Sequence, residues 1–231
     1  MFEQIKSITF SPKAFRLTTI ILSLAIVSTS YAQVKIEQTS VKAESQRVDN
    51  SKQLLMAKLG GIQYINAKFS QVIVDETNEV LQEGKGTLSI SKPNLVNWHT
   101  IEPDENLIVS DGKELWFYNP FIDQVSVYSF TKSIAKTPVL LLTSEDPTLW
   151  DAYQVSQQGD NSFLIHSLDV NSQVKSLELT FEEDKLSKLS ILDSTGQTSH
   201  ISLIDANFKT KPKNTLFEFN VPEGVMVDDQ R

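Results

Sequence analysis

From Ala67 onward the chain is written in short runs where apolar and polar positions alternate, the period of a half-buried strand. Ala67 to Asp75 sets Phe69, Gln71 and Ile73 against Lys68, Ser70 and Val72. Further runs follow at Glu79–Lys92, Leu95–Ile101, Asn106–Ser110, Glu114–Tyr118 and Ile122–Phe130. Turn residues separate them: Thr77-Asn78, Pro93-Asn94, Pro103-Asp104, Asp111-Gly112 and Asn119-Pro120. Asp111-Gly112 is the strongest hairpin signal, because the tight turns that match strand twist need positive φ. After Tyr153 strands are expected around 153–157, 162–168, 174–182, 186–193, 197–207 and 215–219. Val221 to Arg231 reads as a last loop or a short edge strand.

Two places break the alternation. Val48, Leu55, Leu59 and Ile62 fall on one helical face, which predicts a helix from about Asp49 to Leu59. Gly60-Gly61 would end it in a left-handed closing turn. Between residues 137 and 153, Thr137-Pro138 and Asp146-Pro147 are each a side-chain cap followed by a proline whose missing N–H costs nothing there. Two short helices, one carrying Leu140, Leu141 and Leu142 and one carrying Leu149 and Trp150, therefore interrupt the strands. The fold class is mainly β: an unclosed antiparallel barrel of about eleven strands under a lid of short α-helices. So many twisted strands curl, and the curl leaves a concave face to be covered.

The first residues read differently. Lys6, Lys13 and Arg16 precede an apolar stretch, Leu17 to Val27, and Ser30-Tyr31-Ala32 offers small residues where a signal peptidase cuts. The expected organisation is a cleaved signal peptide over 1–32, a mobile arm over 33–47 and a single domain over 48–231. Cleavage after Ala32 leaves 199 of the 231 residues. The leader carries three basic residues and one acidic, so its loss moves the formal charge from −8 to −10. Such a surface repels nucleic-acid phosphates and anionic lipid headgroups, so no nucleic-acid partner is expected. With no cysteine in the chain, an exported fold relies on its core alone, and a lipid anchor on an N-terminal cysteine is excluded. The expected location is the periplasm.

Candidate chemistry is sparse. The three histidines, His99, His166 and His200, form no metal-binding pattern, and His99 reads as structural. No Gly-x-Ser-x-Gly elbow occurs. Gly84-Lys85-Gly86 is too short for a phosphate loop and, sitting mid-strand, marks a bulge or bend. The carboxylates fall mostly in turns. No catalytic residue, metal or cofactor is expected. The apolar surplus says more. Leu88 and Ile90 share a face, as do Val96 and Trp98, and Leu115 and Phe117, while Trp116 and Tyr118 crowd the opposite face. A sheet with both faces so apolar needs two covers, or a cover and a ligand.

The run GKGTLSISKPNLVNWHTIEPDENLIVSDGKELWFYNPFIDQV, with Ala67-Lys68-Phe69-Ser70-Gln71 before it and Thr137-Pro138 after it, closely resembles the periplasmic outer-membrane lipoprotein carriers of the LolA family. The likeness extends from about Leu54 to the closing PEGVMVDDQR. It implies a carrier and not an enzyme. Such a carrier takes acylated lipoproteins from the inner-membrane ABC transporter LolCDE and delivers them, as a monomer, to the outer-membrane receptor LolB. Alternation offers Phe69, Leu88, Ile90, Val96, Trp98, Ile108, Phe117, Leu141 and Leu142 as candidates for the walls and lid of the acyl-chain cavity. The family's latch is an arginine before the Pro-Asn turn that bonds lid backbone. Lys92 stands there, keeping the charge without the planar fork. A nearby family phenylalanine is Val96 here.

A carrier of this kind must shield without gripping. At about 0.8 kcal/mol per CH₂, three acyl chains of about 16 carbons are worth on the order of 35 kcal/mol against water. That exceeds the roughly 20 kcal/mol ceiling of non-covalent affinity, so an imperfectly packed cavity suits the task. The alternative keeps the fold and makes it a periplasmic sensor or receptor for lipoproteins or other acyl ligands. A receptor is disfavoured by the missing lipidated cysteine, a sensor by the lack of a second domain.

Overall fold

The computed structural model describes residues 50–134 and 138–231. The leader, the arm and Thr137 of the first lid cap lie outside the described residues. A helix, α1, covers residues 50–60. Leu55, Leu59 and Ile62 are buried, as the spacing predicts, and Ser51 joins them, while Val48 lies outside the described residues. The end of α1 differs from expectation. Neither Gly60 nor Gly61 has positive φ; the chain leaves through Gly61 N–H to Lys58 O and Ile62 N–H to Leu59 O at 3.3 and 3.0 Å.

Strands follow as β1 (Tyr64–Val74), β2 (Val80–Ser91), β3 (Leu95–Glu102), β4 (Asn106–Asp111), β5 (Glu114–Asn119) and β6 (Gln124–Ser129). After the central helices come β7 (Tyr153–Gln158), β8 (Ser162–Ser167), β9 (Val174–Glu182), β10 (Lys185–Asp193), β11 (Thr198–Asn207) and β12 (Met226–Asp229). They form one sheet ordered β12-β6-β5-β4-β3-β2-β1-β11-β10-β9-β8-β7. Every pairing is antiparallel except that β12 runs parallel to β6. The sheet is unclosed, with two edges, and has twelve strands among the described residues rather than about eleven.

The local chemistry is where the pattern put it. Gly112 has φ +91° at the β4–β5 turn, and Asp111 Oδ1 accepts from Lys113 and Glu114 N–H, both at 2.8 Å. The β2–β3 register slips at Lys85/Gly86, where two steps on β3 match one on β2 and Ile101 is the extra residue, so the mid-strand glycines do mark a bulge.

Three further features differ from the sequence expectation. Phe130, read as the end of a strand, instead opens a helix, α2 (Phe130–Ile134). The lid helices η1 (Pro138–Leu142) and η2 (Pro147–Ala152) are 3₁₀ rather than α. At η2 the proposed cap is present: Asp146 Oδ1 accepts from Thr148 N–H at 2.9 Å. Residues 215–219 are not a strand; η3 (Asn214–Phe217) buries Phe217, and Asn97 Nδ2 donates to the carbonyl of Leu216 at 2.7 Å. The tail then crosses the outer face, setting Phe219 against Trp116 and Tyr118 at ring separations of 6.0 and 5.6 Å, and ends in β12. This strap is the second cover that the two-sided aromatic strand requires.

The concave face carries the main core. Leu55 and Leu59 of α1 pack there with Phe163, Ile165, Leu177, Leu179 and Phe181. Lys52 holds Asp151 at 2.8 Å and Lys58 holds Asp184, pinning α1 across the sheet. At one end lies a second, smaller cluster of Val96, Leu115, Phe130 and Leu140.

Candidate functional site

The site is built by cross-strand register. Directly opposed residues share a face. Leu88 faces Trp98, Trp98 faces Ile108, and Ile108 faces Phe117, so one apolar row spans β2 to β5. A second row holds Ile90, Val96, Ser110 and Leu115. Val139, Leu140 and Thr143 close over both rows from η1 and the residue after it. The enclosed cavity is small: about 30 Å³ is open to the centre of a water-sized sphere. Its lining is apolar except for Thr143, whose hydroxyl is spent on Leu140 O at 2.7 Å.

Six sequence candidates, Leu88, Ile90, Val96, Trp98, Ile108 and Phe117, meet around this cavity. Phe69 does not line it but supports it, with its ring 5.3 Å from that of Trp98. Leu141 and Leu142 turn away into the main core. Leu140 is the leucine that enters, 3% exposed among Val96, Leu115 and Phe130. Three consecutive leucines in a 3₁₀ turn point three ways, so the sequence could not say which one faces the cavity. Leu115 carried a readable signal, sharing a face with Phe117; Val139 and Thr143 carried none.

Two ties hold the cover. Asn94 N–H donates to Thr143 O at 2.9 Å, fastening η1 to the β2–β3 turn, where Asn94 has φ 65°. Lys92 Nζ donates to Leu59 O at 2.6 Å. The amine thus grips the last turn of α1, not the backbone of η1. It lies in a crevice lined also by Met56, Leu141, Glu145 and Trp150. Burial pushes the Lys92 ammonium below the ordinary lysine value, and the Glu145 carboxylate pulls it partly back.

Nothing in this geometry is arranged to react. His99 pairs with Glu105 at 2.8 Å near the surface, and among the described residues no three His, Cys, Asp or Glu side chains are grouped to hold a metal. The class that this geometry defines is a curled sheet wrapped around a small apolar cavity with a tied-down cover.

The comparisons narrow that class. The family model for outer membrane lipoprotein carrier protein LolA matches residues 60–220. An outer-membrane lipoprotein carrier protein of Shewanella loihica is 39% identical over 191 residues, 83% of this chain and 91% of its own. That of Vibrio campbellii is 36% identical over 223 residues, 96% of this chain and 98% of its own. Among solved structures, a LolA superfamily protein from Nitrosomonas europaea has a TM-score of 0.45 at 10% identity, over 73% of this chain and 98% of that one. The chain belongs to the outer membrane lipoprotein carrier family, whose members are carriers and not enzymes.

Proposed function

We propose that this protein carries acylated lipoproteins through the periplasm, shielding their acyl chains under the lid. Its leader over 1–32 directs export and is removed. LolCDE at the inner membrane loads it, and LolB at the outer membrane unloads it. The observation that carries this reading is the apolar row Leu88–Trp98–Ile108–Phe117 closed by Leu140. Space of about 30 Å³ for the centre of a water-sized sphere has room for a few waters and for no acyl chain until the cover lifts. The empty state is therefore shut, and loading exchanges Leu140 for cargo. Energy from the transporter opens the lid; the imperfect fit of the refilled cavity lets cargo pass on.

The test uses spheroplasts carrying a labelled lipoprotein and the purified protein. Label should appear in the supernatant bound to this protein, then move to membranes bearing LolB. Release without transfer would favour a sensor or receptor of acyl ligands. No release would refute the carrier reading.

A further inference from the structure

The apolar row does not stop at Phe117. Across β5 and β6 Phe117 faces Ser126, and across β6 and β12 Ser126 faces Asp228, so the same row ends in polar residues at the sheet edge. One step further along the strands, Asn119 faces Gln124, which faces Met226. Asn106 lies two residues before Ile108 and so shares its face. Asn106, Asn119, Gln124 and Ser126 line a groove that also has Ile108 and Phe117 in its wall, the same two that bound the closed cavity. On the measure that gave about 30 Å³ inside, the groove offers about 310 Å³. No charged residue lines it, although the chain carries 50 of them. Gln124 forms no side-chain hydrogen bond within the described structure, and the Asp228 carboxylate at the end of the row accepts from Ser126 Oγ at 3.3 Å and Gln230 Nε2 at 2.7 Å.

We propose that this groove is the subsite for the neutral linker of the cargo: the ester and amide carbonyls that join acyl chains to the polypeptide, and its first backbone amides. The proposal rests on the carrier reading. The chemistry fits in order. Methylenes pass Ile108 and Phe117, and the linker, rich in acceptors and carrying no net charge, meets the amides of Asn106 and Gln124 where those chains emerge. Side-chain amides donate and accept, as an ester-then-peptide junction requires. A neutral lining also suits a carrier of many different polypeptides, since fixed charges would discriminate among them.

The test compares three fluorescent ligands: a dipalmitoylated cysteine peptide with an uncharged sequence, the same peptide without acyl chains, and a neutral fatty alcohol. The variant combines Asn106→Asp and Gln124→Glu, near-isosteric changes that replace donors by acceptors at half-buried positions. Circular dichroism and urea unfolding verify that it folds. The expected result is a ten- to thirty-fold weaker affinity for the lipopeptide, about the loss of two neutral hydrogen bonds, with the fatty alcohol unaffected. Unchanged lipopeptide binding, or equal loss of both acyl ligands, overturns the subsite while the carrier reading stands. Tight binding of the unacylated peptide by the parent protein also overturns it, as a general peptide groove. If the parent protein binds neither acyl ligand, the carrier reading itself falls.

Discussion

Gly86→Ala is the change whose consequence the structure fixes most tightly. Gly86 sits beside the β2–β3 bulge with its backbone directly under Phe69. A Cβ placed there would lie 2.0 Å from the carbonyl oxygen of His99 and 2.6 Å from Phe69 Cζ. Real Cβ contacts do not fall below about 3.0 Å, so β2 and β3 must part by about 1 Å, and the ring must leave the position from which it supports Trp98. Overpacking of this kind costs about 1–3 kcal/mol. Two ladder hydrogen bonds strained by the parting add about 1 kcal/mol each, giving roughly 3–5 kcal/mol. Set against a total of about 5–15 kcal/mol, that is a large share of the fold's stability. Urea unfolding is the assay. With a slope of about 2–3 kcal/mol per molar, the midpoint should fall by roughly 1.5 M. Pairing the change with Phe69→Leu should recover the ring's part of the loss but not the carbonyl's. A midpoint within about 0.3 M of the parent would refute the reasoning, because it would mean the strands part without cost.

Other expectations concern the cover. Leu140→Ala should cost about 2–3 kcal/mol, the low end for a buried leucine because a void already adjoins it, and should raise affinity for an apolar dye; unchanged dye binding would count against its place as the plug. Lys92→Leu leaves Leu59 O with Ile62 N–H alone and should leave cargo bound, so normal handover to LolB-bearing membranes would exclude Lys92 from gating. The Thr148 hydroxyl and N–H hold the Asp146 carboxyl below the ordinary aspartate value, as the Thr77 hydroxyl and the Glu79 N–H do for Asp75. Folded values below unfolded ones give stability that is present above about pH 4 and lost as pH falls through the folded values. Asp146→Asn keeps the cap acceptor without the proton, so its urea midpoint should drop less between pH 6 and pH 3 than the parent's; an equal drop would refute the assignment.

The sheet was legible because its signals are local. Alternation, the Asp111-Gly112 turn and the Asp146-Pro147 cap act within a few residues, and each stands where it was read. The row Leu88–Trp98–Ile108–Phe117 was half legible. Alternation puts each residue on a face, and only the register between strands makes the four one wall. What escaped depends on distant partners. Phe130 looks like a strand residue and becomes helical because its side chain is wanted beside Leu140 and Leu115. Residues 215–219 alternate as a strand would, yet Phe217 is buried from a 3₁₀ turn instead, and the tail joins the sheet only at β12.

The sheet order has a mechanical meaning. The two meanders, β1–β6 and β7–β11, meet at the β1–β11 pairing, so β6 lies near one margin of the curled sheet and β7 forms the other. The segment that runs from β6 to β7 is the one that carries α2, η1 and η2. A sheet that flattens to admit bulk carries its margins apart, and the covalent strap between those margins is the lid. Wall curvature and lid position are therefore one coordinate rather than two. On the proposed carrier function, cargo that widened the trough would draw Leu140 outward, and a partner that grasped the lid would bend the trough in return.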